Sequence, residues 1–459
     1  MIGNPAPWHP PAPAGGGKRL LAQTFQARVR SSGRSRYLVP TSRDAGGAPL
    51  SKLVMTAQIN QMTPLLPEGA EDLQDLALTV IQKSAALGNR QHPVTLSSLN
   101  ELLRIINSYY SNLIEGHNTH PYDIVRAMEK HYDAEPAKRN LQMESVAHIT
   151  VQRDMEKKLR EEPGINVTRG EFLCYLHREF YRQLPEAFKI IKDPETGRER
   201  RVVPGELRDE AVKVGYHVPP ESSSLDGLLK RFSEFYALDQ HHGATRLVAL
   251  AAAHHRLMWI HPFLDGNGRV ARLFTEAYFQ RIPVLGFGLW SVSRGLARRN
   301  ADYKAALSWA DAPRRNDLDG RGHLSNEGLI RFCRFFLEVC LDQVEYMGNM
   351  LRLEELVQRI KHYVDLRDRG MIPGPSGEKQ PLRTEASRML QEVLVHGVST
   401  RGEIIQASGL KERTGRNLLG LLIDEGLLVS DSPKGEVKLG FPIHAAGWYF
   451  PELYPTQAK

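Results

Sequence analysis

Apolar side chains recur every three to four residues along much of this chain, a spacing typical of amphipathic helices. The pattern runs through LQDLALTVIQKSAAL (73–87) and SLNELLRIINSYYSNLIEG (98–116), where Gly116 is placed to end the second helix. It resumes in LDGLLKRFSEFYAL (225–238), ATRLVALAAAHHRLMWI (244–260) and RVARLFTEAYFQ (269–280). The fold class that this pattern predicts is mainly α, a helical bundle.

One central stretch departs from the helical spacing. In RERRVVPGELRDEAVKVGYHVPP (198–220), valines and Tyr216 alternate with polar residues on either side of Pro204-Gly205. Alternation around a Pro-Gly pair predicts two strands joined by a turn. We therefore expect one β-hairpin, at about residues 201–218, within the helical bundle.

The pattern of apolar and polar residues changes in the C-terminal part of the chain. Residues 370–381 (GMIPGPSGEKQP) have the composition of a linker, and residues 382–459 then read as three short helices followed by two strands. That order predicts a winged helix-turn-helix domain. Residues 382–459 carry nine Lys or Arg and nine Asp or Glu, so DNA binding has little electrostatic support beyond Arg413 and Arg416.

The net charge of +7 is concentrated at the N-terminus. Residues 1–50 hold seven Lys or Arg against the single acid Asp44, and their Pro and Gly content predicts a disordered basic tail. No run of about 18 apolar residues exists, so no membrane segment is expected. The three cysteines lack CxxC spacing, which excludes a disulfide framework and favours the cytoplasm. The sequence does not determine the oligomeric state and leaves a homo-oligomer open.

The densest chemistry lies in HPFLDGNGRVAR, residues 261–272. Gly266-Asn267-Gly268 predicts a sharp turn into a helix, and the free amides at such a helix start bind anions such as phosphate. Arg269 and Arg272 are three apart, on one helix face, where both guanidinium groups reach a polyphosphate. Asp265 suits a Mg²⁺ shared with phosphates, and a neutral His261 can take a proton from an attacking hydroxyl.

This stretch resembles the motif HPFx[DE]GNGRxxR of the Fic family, with every defined position filled. The resemblance implies a Fic-type bundle with a hairpin flap, and adenylylation of a Ser, Thr or Tyr hydroxyl of a target protein by ATP with Mg²⁺. It also assigns the roles: His261 is the general base and Asp265 holds Mg²⁺. Gly266, Asn267, Gly268 and Arg269 hold phosphates, while Arg272 meets the γ-phosphate.

Two further features follow from the resemblance. The hairpin at 201–218 is similar to the family's flap, on which an extended target segment docks. Asn300 and Tyr303 fall where similar proteins line the nucleoside pocket, with helix capping and core packing as the alternative. The domains are then a tail (1–50), a helical region (51–160), a catalytic core (161–369), a linker (370–381) and the winged helix (382–459).

Residues 111–116 (SNLIEG) match [ST]xxxE[GN], which resembles the inhibitory helix that precedes the Fic core in similar proteins. A carboxylate at Glu115 that pairs with Arg272 would occupy the fork needed by the γ-phosphate, with Ser111 in the same helix. A displacement of about an ångström at the α-phosphate costs on the order of a hundredfold in rate. We therefore expect low basal activity.

Three rival functions remain at this point. A Fic-type fold can move UMP or phosphate, or remove AMP, instead of adding it. A winged-helix DNA-binding regulator could use the nucleotide site as a sensor, although sensing needs no base such as His261. A metal hydrolase would need ligands, but His241, His242, His254 and His255 lack HExxH spacing and are expected to pack or orient neighbours.

Overall fold

A computed structural model describes residues 59–90, 92–192, 197–215, 217–375, 377 and 380–455. The predicted tail, 1–50, and Tyr216 lie outside the described residues. The helices in chain order are α1 (Asp72–Gly88), α2 (Pro93–Ile114), α3 (Pro121–Met128), α4 (Pro136–Glu161), α5 (Gly170–Arg182), α6 (Leu225–Tyr236), α7 (Thr245–Ile260), α8 (Asn267–Arg281), α9 (Val292–Arg298), α10 (Asn300–Asp311), α11 (Asn326–Met350), α12 (Leu353–Asp368), α13 (Ala386–His396), α14 (Arg401–Ser408), α15 (Glu412–Asp424) and α16 (Ile443–Tyr449). The strands are β1 (Ile190–Lys192), β2 (Glu199–Arg201), β3 (Val398–Ser399), β4 (Leu428–Ser430) and β5 (Val437–Leu439). The mainly α fold class is confirmed.

The centre of the bundle is formed by α7 and α8, which are buried on nearly every side. In α7 the run LVALAAA is apolar all round, as expected of a helix enclosed by others rather than one facing water. The two helices pack against each other, and α11 packs on α7. The loop of residues 261–266 that joins them is therefore anchored at both ends to the most buried part of the protein.

Helix α2 has clear start and stop signals. It begins after His92, whose Nδ1 accepts a hydrogen bond from Val94 N, with Pro93 in the first turn. It ends at Ile114, and Gly116 adopts a φ of 90°, a conformation that favours glycine. The helix packs on α4 and α9, with a further contact on α8, so its C-terminal end is fixed from several sides.

The predicted hairpin at 201–218 was misplaced. The hairpin pairs β1 with β2, matching Ile190 with Arg201 and Lys192 with Glu199. Among the described residues of the predicted range after β2, the β pairing is limited to an isolated bridge between Val214 and His217.

The reason is that residues 202–208 are held against the bundle. The Val202 side chain is buried, and Gly205 N donates to His177 Nδ1 at 2.8 Å. A Cβ at Gly205 would meet the Arg178 Cβ and Cys174 O, so the backbone packs directly on α5. A backbone engaged in these contacts is not free to form a hairpin ladder.

The C-terminal residues contain the three helices and two strands expected from the sequence, namely α13, α14, α15 and the pair β4–β5. The short β3 pairs with β5 and makes a three-stranded antiparallel sheet of order β3-β5-β4. This region is joined to α12 by a buried ion pair, in which Arg367 donates to both carboxylate oxygens of Glu425 at 2.7 and 2.9 Å.

Within the described residues, no helix combines the length and the apolar character that crossing a membrane would require.

Candidate active site

The loop between α7 and α8 is built around an unusual backbone conformation at His261. This residue ends α7 with φ 50° and ψ 60°, in the left-handed region that costs a non-glycine residue roughly 1–2 kcal/mol. Asn267, the first residue of α8, closes the loop by accepting from Phe263 N at 2.9 Å and donating to Phe263 O at 2.8 Å. The side chain of Asn267 thus shapes the loop, and its backbone amide remains at the helix start.

The backbone of His261 is gripped by Arg208, a residue that the sequence interpretation did not single out. Arg208 Nε donates to His261 O at 2.8 Å, and its backbone N–H donates to Pro262 O at 2.9 Å. The Arg208 side chain is buried and also bonds the carbonyls of Glu210 and Pro220. Residues after β2 therefore set the position from which the His261 ring approaches the site.

The imidazole of His261 is held in its neutral form. Burial lowers its pKa to about 4, and the nearby His217 and Arg208 act in the same direction. A neutral imidazole has a nitrogen lone pair available to accept a proton. His261 is therefore in the protonation state that a general base requires at neutral pH.

This lowered pKa predicts an activity that survives mild acid. With the ordinary pKa of about 6.5, an imidazole is about nine-tenths protonated at pH 5.5. Because burial lowers the pKa of His261 to about 4, the neutral base persists at pH 5.5 and is lost only as the pH approaches 4. We expect kcat of the Glu115→Gly variant at saturating substrate to change less than about threefold between pH 7 and pH 5.5. A tenfold fall, with circular dichroism showing a folded protein, would contradict this.

The start of α8 has the geometry of an anion site. Gly266 has a φ of 79°, and a Cβ there would meet the Tyr181 ring, so only glycine lets the loop lie so close to α5. The first backbone bond inside the helix runs from Val270 N to Gly266 O. The amides of Asn267, Gly268 and Arg269 precede it and have no partner within α8, as expected at a helix N-terminus.

Asp265 lies beside these amides and is fixed by α5. Tyr181 donates from its hydroxyl to Asp265 Oδ2 at 2.6 Å. His177 Nε2 lies 3.3 Å from Asp265 O, and because His177 Nδ1 accepts from Gly205, its Nε2 carries the proton. The Asp265 side chain is 42% exposed, so it remains accessible from the site.

The residues present fit a Mg²⁺ ion shared with a substrate better than a metal held by protein alone. No group of three or more His, Cys, Asp or Glu that could hold a metal is found among the described residues. Mg²⁺ commonly takes one or two carboxylates, with phosphates and water completing its shell. Asp265 supplies one accessible carboxylate next to the amides of α8, which matches that donor set.

The second arginine of the motif, Arg272, is bound to helix α2. Its Nη2 donates to Glu115 Oε1 at 2.6 Å and to Ser111 O at 3.0 Å, and its Nε donates to Ser111 Oγ at 2.9 Å. The structure thus brings Ser111, Glu115 and Arg272 together. Burial alone would raise the pKa of the Glu115 carboxyl, but Arg272 and then Arg269 outweigh it and lower that pKa.

The carboxylate of Glu115 also lies against the start of α8. A Cβ at Gly268 would overlap Glu115 Oε1 and come within 3.2 Å of Arg272 Nη1. The Glu115 carboxylate therefore occupies the space that a side chain at position 268 would fill. A phosphate group drawn to the amides of α8 and to Arg272 would meet this carboxylate.

The first arginine, Arg269, has a different partner. Its Nη1 forms an ion pair with Glu144 of α4, and its guanidinium lies 4.9 Å from the centre of the Phe180 ring. Its Nη2 is 3.6 Å from Asp265 Oδ2. Glu144 is 2% exposed, and the sequence interpretation did not single it out.

Of the two predicted nucleoside-pocket residues, Tyr303 lies in the core. It is 2% exposed, and its hydroxyl is 2.7 Å from His254 Nε2, while His254 Nδ1 is 2.7 Å from Thr275 Oγ1. These contacts fit the packing role weighed as the alternative, and the nucleoside contact of Tyr303 stays a prediction. Asn300 begins α10, and its Oδ1 is buried with no hydrogen-bond partner among the described residues.

Of the four histidines weighed as metal ligands, His241, His254 and His255 are buried and have structural partners, whereas His242 is exposed. His241 Nε2 lies 2.8 Å from Phe235 O, and His255 Nε2 lies 3.2 Å from Leu307 O and 3.1 Å from Asp311 Oδ1. Burial lowers the pKa values of His241, His254 and His255. These contacts agree with packing and orienting roles.

Comparison with known proteins shows that part of this chain resembles a known family. Residues 168–279 match the sequence model of the Fic/DOC family. Curated relatives named protein adenylyltransferase Fic include those of Drosophila grimshawi, 40% identical over 77 residues, and Drosophila virilis, 44% identical over 78 residues. Each match covers 17% of this chain, and the chain spans only 16% of the length of these relatives.

Solved structures of similar proteins were also found. A Fic family protein from Desulfovibrio desulfuricans G20 has a TM-score of 0.42 and 16% sequence identity, covering 87% of this chain and 99% of that chain. Fic-1 from C. elegans has a TM-score of 0.42 and 17% identity, covering 65% of this chain and 74% of that chain. The matched range 168–279 contains the whole of His261–Arg272, and the chain therefore carries a Fic/DOC family domain.

Proposed function

We propose that this protein is an adenylyltransferase that moves AMP from ATP to a Ser, Thr or Tyr hydroxyl of a target protein. The observation that carries the proposal is the loop between α7 and α8. It joins a neutral His261 to a helix start with free amides, with Asp265 and two arginines beside it. The name of the curated relatives, protein adenylyltransferase Fic, points to the same reaction.

The transfer step uses these groups as follows. The hydroxyl oxygen of the target forms a bond to the α-phosphorus of ATP, and the bond from that phosphorus to the β-phosphate oxygen breaks. His261 takes the hydroxyl proton, and pyrophosphate leaves. The negative charge of the phosphates is stabilised by the amides of Asn267 and Gly268 and by the guanidinium of Arg269.

Asp265 is the residue that would hold Mg²⁺ in this scheme. A bound Mg²⁺ neutralises phosphate charge and orients the leaving group. Tyr181 fixes the carboxylate through its bond to Oδ2, so the residue is oriented before substrate arrives. His177 holds the Asp265 backbone and ties the same loop to residue 205.

The contact between α2 and Arg272 is the basis for proposing autoinhibition. Glu115 and Ser111 together engage Nε and Nη2 of Arg272, so the guanidinium is already bound on the side that would otherwise receive a γ-phosphate. ATP would then bind with its α-phosphate out of line for attack, which lowers the rate without abolishing binding.

Target docking is proposed at the hairpin β1–β2 in place of residues 201–218. The hairpin is a two-stranded sheet, so each strand has one edge without a partner strand in that sheet. Ile190 is 48% exposed and Val203, just after β2, is 40% exposed. An extended target segment that adds to such an edge gains main-chain hydrogen bonds. The chain after β2 then runs to Arg208, which contacts the backbone of His261.

The winged-helix interpretation of residues 382–459 remains a proposal, with protein docking favoured over DNA binding. Besides the balanced charge of this region, Arg416 on α15 pairs with Glu412 of the same helix. An arginine already paired within its own helix has less to offer to phosphates.

A panel of nucleotides tests the proposed reaction. We expect the Glu115→Gly variant to label itself or proteins in a cell lysate with α-labelled ATP, and mass spectrometry to find AMP on Ser, Thr or Tyr side chains. GTP, UTP and CTP serve as matched donors, and γ-labelled ATP reports phosphate transfer. Labelling from UTP alone, or from γ-labelled ATP, would replace adenylylation with one of the alternative transfers.

A further inference from the structure

We propose that Glu144 is a positioning residue that holds Arg269 ready for the phosphates of the nucleotide. The inference rests on the proposed function, because it assigns a role within the same site. Glu144 lies on α4, far from the motif in sequence. Its two carboxylate oxygens contact Arg269 Nη1 and His117 Nδ1, the latter at 2.5 Å.

Burial makes a fixed anion at this place necessary. The side chain of Arg269 is 8% exposed and that of Glu144 is 2% exposed, so neither charge is solvated by bulk water. Burial lowers the pKa of Arg269 to about 10. A buried cation without a nearby anion is strongly unfavourable, whereas a paired one is tolerated. Glu144, in direct contact with Nη1, therefore orders Arg269 before any phosphate arrives.

The way Glu144 holds Arg269 differs from the way α2 holds Arg272. On Arg272, both Nε and Nη2 donate to Ser111 or Glu115. On Arg269, Glu144 takes Nη1, while Nη2 lies 3.6 Å from Asp265 Oδ2, beside the site proposed for Mg²⁺ and phosphates. Arg272 is thus blocked, whereas Arg269 is oriented and has a nitrogen directed toward the substrate side.

Phe180 also helps to orient the Arg269 guanidinium. Its ring lies under the Arg269 guanidinium at 4.9 Å, and the planar group is thereby restricted on one face while Glu144 fixes its edge. A guanidinium fork binds phosphate well only when its plane is set correctly, so ordering it in advance lowers the entropy lost on binding. This is a role for binding substrate, distinct from holding α4 to α8.

His117 connects this contact with the inhibitory turn. It stands two residues after Glu115, and its ring is 39% exposed. Burial, and then Arg269, lower the pKa of His117, so its neutral ring donates from Nδ1 to Glu144. The turn that presents Glu115 to Arg272 therefore also supports the carboxylate that holds Arg269.

The test is a double-mutant cycle in the Glu115→Gly background, read out as the Kd of MgATP by calorimetry and as KM and kcat separately. Coupling between contacting residues typically corresponds to about twofold to a hundredfold. We expect Glu144→Gln to raise the Kd and KM for ATP about tenfold. In the Arg269→Gln background, the same Glu144→Gln change should alter the Kd by less than about twofold.

Glu156→Gln is the matched control. Glu156 also lies on α4 and pairs with a largely buried arginine, Arg104, but not with the motif. It should leave the Kd for ATP unchanged. A merely structural role for Glu144 would appear as an equal loss in both Arg269 backgrounds, or as a lower thermal midpoint with the Kd unchanged, and either result overturns the proposal.

If Glu144→Gln fails to fold, a second variant tests the same role of Glu144. His117→Ala removes the other partner of Glu144 from a partly exposed position, and we expect about a threefold rise in Kd that vanishes in the Arg269→Gln background. No change in Kd would overturn the proposal. Because calorimetry needs no transfer, a Glu115→Gly protein that binds ATP but moves no AMP refutes the proposed function alone.

Discussion

Replacing His261 with asparagine in the Glu115→Gly variant is expected to lower AMP transfer by about 10²–10⁴-fold, the usual contribution of a positioned general base. The reason is the loss of the neutral imidazole that burial maintains at pH 7. Asparagine is the sharper choice because His261 has a φ of 50°, and asparagine tolerates this left-handed conformation better than most residues. Single-turnover transfer with labelled ATP measures the effect.

His261→Ala and His241→Ala complete this experiment. His261→Ala removes the base but also places alanine at a positive φ, so a much larger loss in alanine than in asparagine would reveal a backbone contribution. His241→Ala removes another buried histidine, bonded to Phe235 O, and should keep transfer near the parent rate. Transfer by His261→Asn within tenfold of the parent, at equal ATP affinity, would exclude His261 as the base.

Much of the site could be predicted because its chemistry is contiguous in sequence. His261, Asp265 and the two arginines lie within twelve residues, where a turn and one helical face determine their relative positions. Gly266 also has a local reason, its positive φ, whereas Gly268 makes room for Glu115, which approaches from the distant end of α2. Helix existence was predictable for the same reason, since the apolar period is a local property.

What could not be predicted depends on contacts between distant segments. Arg208 reaches the His261 carbonyl only because residues 202–208 fold back onto α5, and the alternating valines favoured a hairpin there instead. Strand pairing requires free backbone groups, which alternation alone does not reveal. Glu144 did leave a signal, since a carboxylate stands on the helix face marked as buried by Ala147 and Val151.

The spacing of Tyr303 from the motif did not reveal its packing contacts. The position of Tyr303 on α10 relative to the motif predicts a nucleoside contact, which stays a prediction, and its hydroxyl bonds to the buried His254. Burial raises the pKa of Tyr303, which accords with an enclosed hydroxyl. Sequence spacing sets the distance along a helix, whereas the facing neighbour is set by packing among helices.

The stability of the inhibitory contact depends on how firmly α2 is held. Ser108 Oγ donates to Ser145 O at 2.8 Å, and Asn112 Nδ2 donates to Ser145 Oγ at 3.1 Å, so α4 fixes the last turns of α2. Tyr110 donates to Leu453 O at 3.1 Å, which adds a contact from the C-terminal segment. A partner that displaces residues near 453 would therefore loosen the helix that carries Ser111 and Glu115.

Replacing Glu115 with glycine is expected to raise AMP transfer on the order of a hundredfold, with most of the gain in kcat. The change removes the Glu115 carboxylate from Nη2 of Arg272 and from its place beside Gly268, so a γ-phosphate can approach Arg272 and the α-phosphate can align with His261. Helix α2 should tolerate it, because Glu115 is the C-terminal cap and is followed by Gly116 in a glycine-type conformation. Initial rates of self-labelling by wild type and variant measure the gain.

Graded variants separate release of Arg272 from damage to α2. Glu115→Gln keeps the shape but removes the charge, and should activate less than glycine because an amide oxygen still accepts from Arg272. Ser111→Ala removes only the contact to Nε and leaves the Ser111 carbonyl bound to Nη2, so its effect should be smaller still. Equal self-labelling by wild type and Glu115→Gly would refute autoinhibition, because the Glu115 carboxylate on Arg272 would then not slow AMP transfer.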